Sequence, residues 1–313
     1  MFEIIRYTAD KADEWNQFVA RSKNGTFLFN RAYMDYHADR FSDCSLMFYL
    51  EGLLFALLPA NRRDDTLYTH QGLTYGGLIM TSETTTERVC QLFEELNDYL
   101  RGCDIHHVIY KPVPAIYHQL PAEEDLYALF ITCKARLVGR DVSSVILPCR
   151  PVKWKRDRHY GANKARTNGV TVELSDDYAT FWRILSDNLQ QKFGARPVHS
   201  LDEISLLRSR FPENILLWVA RSGKGEVLAG CVLYLCGQVV RAQYTSASLE
   251  GKRLHAVDAI YDHLIHHAYV DAQFIDMGTS NMPHSSDLHA SLIYQKEGFG
   301  ARAVCFDTYQ WDL

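Results

Sequence analysis

Two β-rich runs, Val239 to Ser248 (VVRAQYTSAS) and Phe274 to Gly278 (FIDMG), flank Leu249 to Val270. In that stretch Ala256, Ile260, Leu264, Ile265 and Ala268 recur at three- and four-residue spacing, which predicts one long helix with a single buried stripe. A helix of that length between strands makes a β-α-β crossover, so the two strands run parallel. Upstream, ILLWVAR and VLAGCVLYLCG are joined by the turn Ser222 to Gly225 and read as an antiparallel hairpin. The sheet is therefore mixed. Two amphipathic helices precede it: Asp176 to Phe193, with Phe181, Ile184, Leu185 and Leu189 inward, and LDEISLLRSRF, capped near Ser200. After FIDMG comes a polar loop in which Ser285, Ser286 and Asp287 are candidate N-caps. A short helix follows with Ala290, Ile293 and Tyr294 on one face, closed by Gly298 in a left-handed turn, with Phe299 packing back as an apolar plug.

The first half repeats this order loosely. Phe2 to Tyr7 reads as a strand and Asp10 to Ser22 as a helix buried through Ala12, Trp15, Phe18 and Val19. TFLFNRAYMDYHADRF reads as a strand edge running into a second helix. Ser45 to Leu50 and Leu53 to Pro59 flank the turn Glu51-Gly52. LYTHQGLTYGGLIM, a helix over Thr86 to Leu100 and a strand over His106 to Lys111 complete the half. At 313 residues the chain exceeds one ordinary core. The expected organisation is an α/β fold of two similar domains, 1–140 and 173–313, joined by a connecting segment at 141–172.

Residues 134–170 depart from the average. The net charge is −5, yet here Lys and Arg far outnumber the two aspartates, Asp141 and Asp157. Such a run reads either as a solvated connection or as an anion site for a nucleotide, an acceptor or a tRNA acceptor stem. The eight cysteines are scattered without metal-ligand spacing, which suits buried free thiols in a reducing compartment. His263, His266 and His267 cluster on the long helix without further ligands in reach of the pattern, so no metal is expected. No signal-peptide pattern opens the chain and no run suits a membrane span, which gives a cytoplasmic expectation. G-x-S-x-G, H-E-x-x-H and Walker motifs are absent from the sequence.

The ending A-x-x-x-Y-x-K-x-G-F, Ala290 to Phe299, resembles the C-terminal motif of GNAT-type acyltransferases. HYGANKARTNGVTVEL is similar to a segment of the FemAB-like proteins, which are double GNAT folds, with Lys164 and Arg166 as its charged anchors. The resemblance implies two tandem GNAT-like domains, each a mostly antiparallel sheet flanked by helices. It implies a sheet splayed between its fourth and fifth strands, with Gln243, Tyr244, Thr245 and Ser246 along an acyl-CoA donor. The turn at Gly251, Lys252 and Arg253 would take the pyrophosphate, although Arg253 stands where the family has a small residue.

By the same resemblance Tyr294 protonates the leaving thiolate, and Lys296 stabilises an anion. Asp276 is the candidate base that frees the attacking amine, its alternative being a carboxylate that pairs with a basic residue or caps a turn. His255, His284 and His289 are weaker candidates. His70, Tyr75 and the Gly76-Gly77 pair could line a pocket of the first half or be structural. His70, Tyr75, Lys164, Arg166, Asn281 and Lys296 make the acceptor set. The expected reaction is direct acyl transfer from acyl-CoA to an amine of an amino sugar, peptide or small metabolite. Its rivals are FemAB-like aminoacyl transfer from tRNA to a cell-wall precursor, and a binding module that has lost its donor.

Overall fold

The computed structural model describes residues 1–282, 285 and 287–313; His284 and Ser286 lie outside them. The chain divides into two compact units, Met1–Asp141 with Cys305–Leu313, and Val142–Val304. It crosses from one to the other inside two strands, Arg136–Ile146 and Arg302–Asp312. Of the basic residues expected to form a connection, Arg136 and Arg140 belong to the first of these strands and Arg156, Arg158, Lys164 and Arg166 to a helix of the second unit.

In the first unit, strand Glu3–Arg6 pairs with Leu46–Leu50, which turns through Glu51 and Gly52, both at positive φ, into Leu53–Leu58. Two successive left-handed residues match the twist of the paired strands, which is why this two-residue turn is so legible. Strands Thr66–Tyr68 and His107–Tyr110 run parallel, with helix Thr86–Arg101 between them in the chain. That helix buries Val89, Leu92, Phe93, Leu96 and Leu100 in a core that also takes Trp311. The indole of Trp311 donates to Asn97 Oδ1 at 3.0 Å, which satisfies its one buried donor. The segment after Gly25 differs from its expected strand edge. It forms 3₁₀ and short α turns, Phe27–Phe29, Arg31–Met34 and Asp35–His37. Trp15 donates to the Phe29 carbonyl at 2.7 Å, and Arg31 is buried against Asp35 and Asp43. These tertiary anchors override strand propensity.

The second unit contains strands β1 (Thr171–Ser175), β2 (Ile215–Arg221), β3 (Val227–Cys236), β4 (Val239–Ala247) and β5 (Phe274–Thr279). Its helices are α1 (Arg156–Thr167), α2 (Tyr178–Phe193), α3 (Leu201–Arg210), α4 (Leu249–Arg253), α5 (Ala256–His263) and α6 (Ala290–Gly298). Strands β1 to β4 pair antiparallel in order, β4 and β5 pair parallel, and β5 pairs antiparallel with the Arg136–Ile146 strand. Caps follow the sequence: Asp177 accepts from Thr180 N–H at the start of α2, and Ser200 with Glu203 makes a reciprocal capping box at α3.

The long helix expected between β4 and β5 is broken. His255 adopts φ +57°, which separates α4 from α5, and a π-helical turn, Leu264–Ala268, follows. The left-handed backbone at His255 is held by its own side chain, whose Nδ1 lies 2.9 Å from Asp258 Oδ2. Asp258 also accepts from Arg158 of α1 at 2.5 Å. Gly161 lets α1 approach this joint, since a Cβ there would stand 2.0 Å from Asp258 Oδ2. At α6 the cap is His289, which accepts from Leu292 N–H, in place of Ser285 or Asp287. The left-handed residue is Gly300 at φ +86° and not Gly298, whose missing Cβ instead admits Arg158. Phe299 is buried against Trp154 and Tyr261, as a plug should be.

The joint gives a test. Asp258→Ala leaves Arg158 without its buried partner and should cost about 3 kcal/mol. Gly161→Ala should also destabilise, through overpacking of about 1–3 kcal/mol. Urea denaturation followed by circular dichroism would read both, and unchanged midpoints would show that the joint does not hold α1.

Candidate active site

Strands β4 and β5 pair only from Val239↔Phe274 to Arg241↔Asp276 and then part. Two local features open them. Gln243 is an extra residue on β4, because Val232 faces Tyr244 while Leu233 faces Ala242. Such a bulge twists a strand and re-aims its side chains. On β5, Gly278 at φ +79° bends the chain away. The resulting cleft has a volume of about 680 Å³ and is lined by β4, β5, α2, α4, α5 and α6.

The apex of the cleft is a buried ion pair. Asp276 is fully buried, accepts from Arg241 Nη1 at 2.5 Å and from Gly278 N–H at 2.8 Å, and takes the Ser143 hydroxyl as well. Its geometry is that of a carboxylate that pairs with a cation and caps a turn, the alternative to the free base considered from sequence. Above the apex stands Lys296 of α6. Its Nζ donates to the carbonyls of Gly278 at 2.7 Å and Thr279 at 2.8 Å. Burial pulls its pKa down to about 8, with Asp276 opposing that fall and Arg241 adding to it. Tyr261 of α5 and Thr245 of β4 share a hydrogen bond of 3.1 Å on the cleft wall, and burial holds the tyrosine well above its ordinary pKa.

Among the expected donor residues, Gln243, Thr245 and Ser246 line the cleft. Tyr244 is absent from the lining: its hydroxyl meets His199 Nδ1 and its ring packs on Trp182 of α2. Gly251 answers a packing need: a Cβ would lie 2.1 Å from the Leu228 carbonyl. Its N–H is taken by the Ser248 hydroxyl at 3.0 Å. Arg253 is exposed and paired with Glu250 at 2.5 Å, the solvated arrangement. Lys252 reaches the cleft, hydrogen-bonded to Asn188, and its pKa is lowered by burial and then by Lys192.

The acceptor set is divided. Asn281 lines the cleft and accepts from Val142 N–H at 2.8 Å, and His289 lines it beside α6. His70 and Tyr75 are buried in the first unit. His70 accepts from Gly72 N–H at 3.2 Å and burial pushes its pKa down to about 3, while the Tyr75 hydroxyl donates to Thr26 at 3.2 Å. Gly76 packs against the Thr69 carbonyl, 1.8 Å from where its Cβ would be. These residues take the structural alternative. Lys164 and Arg166 lie on α1, with Arg166 paired to Asp262 at 3.1 Å.

Tyr294 is absent from the described cleft lining. It sits on α6 with 55% of its surface exposed and Lys155 Nζ 3.6 Å above its ring, beside an open groove with Lys155, Arg156, Asp157 and Tyr160. On α6 the residues Ser291, Leu292, Gln295 and Lys296 form the cleft face, and Tyr294 falls on the other side of a helix with 3.6 residues per turn. Sequence reasoning missed Tyr261, which hid as one apolar-stripe neighbour among several, and Lys192 and Asn188 of α2. Among the described residues, no group of three or more His, Cys, Asp or Glu is placed to hold a metal ion, and no helix is long and apolar enough to cross a membrane.

Residues 153–286 match the family model described as an acetyltransferase (GNAT) domain. No curated protein sequence is significantly similar to this one. Among solved structures, FemX aligns with a TM-score of 0.69 at 12% identity, over 99% of this chain and 97% of that one. The C-terminal domain of a candidate lysylphosphatidylglycerol synthetase from Agrobacterium fabrum aligns at 0.60 and 13%, over 96% and 91%. A tandem GNAT protein from the clavulanic acid biosynthesis pathway aligns at 0.52 and 10%, over 100% and 98%. At these identities the likeness is one of fold. Residues 153–286 thus match a GNAT acetyltransferase domain and the chain shares the fold of these structures, consistent with an enzyme of N-acyltransferase type.

Lys296 offers a pH test. The folded chain releases this proton near pH 8 and an unfolded lysine near 10.5, so between those values the folded state binds fewer protons. Stability therefore rises with pH across that window. Relative to Lys296→Met, the native chain should gain about 3 kcal/mol between pH 8 and 10.5. Urea midpoints of both proteins along a pH series would measure it, and a flat difference would place the ammonium in water.

Proposed function

We propose that this chain transfers an aminoacyl group from an aminoacyl-tRNA to a primary amine of a cell-envelope precursor, by direct attack within the β4–β5 cleft. The observation that carries the choice of donor is the turn a coenzyme A pyrophosphate would need. There Arg253 is committed to Glu250, Lys252 to Asn188 and the Gly251 N–H to Ser248. Two of the likenesses that run along nearly the whole chain support the same choice. They are to FemX and to a domain whose name speaks of a lysyl product.

In this reading the amine nitrogen attacks the ester carbonyl, a carbon–nitrogen bond forms, and the ester carbon–oxygen bond breaks to release the ribose hydroxyl. Lys296 supplies the fixed positive charge for the oxyanion, since its two carbonyl partners hold it in a water-poor cleft before any substrate arrives. Its lowered pKa also suits it to pass a proton to the leaving oxygen, the proton lost by the attacking nitrogen then restoring the ammonium. Gln243, Thr245 and Ser246 hold the acyl end, and Asn281 and His289 face the acceptor. Asp276 acts at one remove, by keeping Arg241 and the turn at Gly278 in place.

A second reading keeps acyl-CoA as the donor. It is favoured by the free edge of β4 beyond Arg241, which could pair with a pantetheine arm, and by Lys192 and Lys252 together in the cleft lining.

Transfer assays with purified aminoacyl-tRNA and with acetyl-CoA, against a panel of amine acceptors, separate the two. We expect turnover with the tRNA donor, a fall in kcat of about 10²–10³ for Lys296→Met, and a loss of activity as pH rises through about 8. Turnover with acetyl-CoA alone would install the second reading. No turnover with either would leave a binding module.

A further inference from the structure

We propose that the open groove beside α6 is a single-stranded RNA platform that receives the unpaired end of the donor; its identity as part of the donor rests on the reading above. The groove is separate from the cleft, has a volume of about 550 Å³ and is lined by Lys155, Arg156, Asp157, Tyr160 and Tyr294. Two aromatic rings are exposed on it, Tyr160 at 61% and Tyr294 at 55%. A tyrosine exposed to that degree contributes little to a core, but its face can stack a base of any identity. Each ring is accompanied by a lysine, Lys155 Nζ at 3.6 Å from the Tyr294 centroid and Lys164 Nζ at 5.8 Å from that of Tyr160.

The charge of the surface fits the same occupant. Asp157, the acid of the lining, is bonded to Arg158 at 3.1 Å, and Arg158 is anchored inward on Asp258. Lys155, Arg156 and Lys164 then leave a local positive field on a chain whose net charge is −5. Alternating cations and exposed aromatic rings grip a flexible polyanion with flat bases, whereas a duplex offers no free base to the rings.

Placement links the groove to the chemistry. Tyr294 and Lys296 stand on two sides of the same helix, whose diameter with side chains is about 10 Å. A strand stacked on Tyr294 could therefore reach over α6 and present its terminal ester to Lys296.

Fluorescence anisotropy of a labelled single-stranded RNA of roughly 12 nucleotides, titrated with the full chain at several salt concentrations, tests the platform. We expect Tyr160→Ala and Tyr294→Ala each to weaken binding by about 5- to 150-fold, while Tyr160→Phe and Tyr294→Phe keep it. Lys155→Ala with Arg156→Ala should flatten the salt dependence, and Lys296→Met should leave RNA binding intact.

Binding unchanged in Tyr160→Ala and Tyr294→Ala, with an unchanged salt dependence in Lys155→Ala/Arg156→Ala, would overturn the proposal. So would equal affinity for a duplex, or binding only to anionic phosphatidylglycerol vesicles. Groove-dependent RNA binding without aminoacyl transfer would sustain the platform and remove the donor reading. Aminoacyl transfer with an unaltered KM for tRNA in the groove variants would do the reverse.

Discussion

The buried pair Arg241–Asp276 is the interaction on which the second unit turns. It joins the last two residues at which β4 and β5 still pair. Removing two charges from water costs several kcal/mol per ion, and the attraction between them offsets this only where the remaining hydrogen bonds are also met. Here Asp276 is met by Arg241, by the Gly278 N–H and by the Ser143 hydroxyl. A pair so committed fixes where the strands part. The carbonyls of Gly278 and Thr279 follow immediately, and they hold Lys296.

Helix α6 is short, yet it divides two environments. One face carries Lys296 against the strand ends, and the other carries Tyr294 in solvent. The division depends on the depth at which α6 is seated, and Phe299 sets that depth by filling a space among Trp154 and Tyr261. Helix α1 closes the same region through Arg158, whose aliphatic stem packs at Gly298 while its guanidinium reaches Asp258. A long cation thus serves as both filler and anchor.

Much of the fold was legible because it rests on local periodicity. The hairpins, the crossover from β4 to β5 and the helices over Thr86–Arg101 and Tyr178–Phe193 follow from apolar spacing and turn residues. What sequence could not supply were the places where tertiary partners override spacing. The break at His255 depends on Asp258 and Arg158, the latter from a helix about a hundred residues away in sequence. The site divides in the same way. Gln243, Thr245, Ser246, Lys252, Asn281 and Lys296 line one cleft, because strand order and the short last helix bring them together. Tyr244 and Tyr294 do not, because His199 and Trp182 take up Tyr244 and the rotation of a short helix turns Tyr294 away. His70 and Tyr75 are polar by type and structural by environment, a difference that only burial reveals.

The last residues, Cys305–Leu313, belong to the unit that begins at Met1, and Trp311 lies in that unit's core. Synthesis proceeds from the amino end, and domains tend to fold as they emerge. Of the two units, the one begun earlier is therefore not the one that can be finished earlier. Its core stays short of an indole, and Asn97 of that bond's other half, until the ribosome has delivered all of Val142–Val304. The later unit is contiguous and can close first, so the order of translation and the order of completion are opposed.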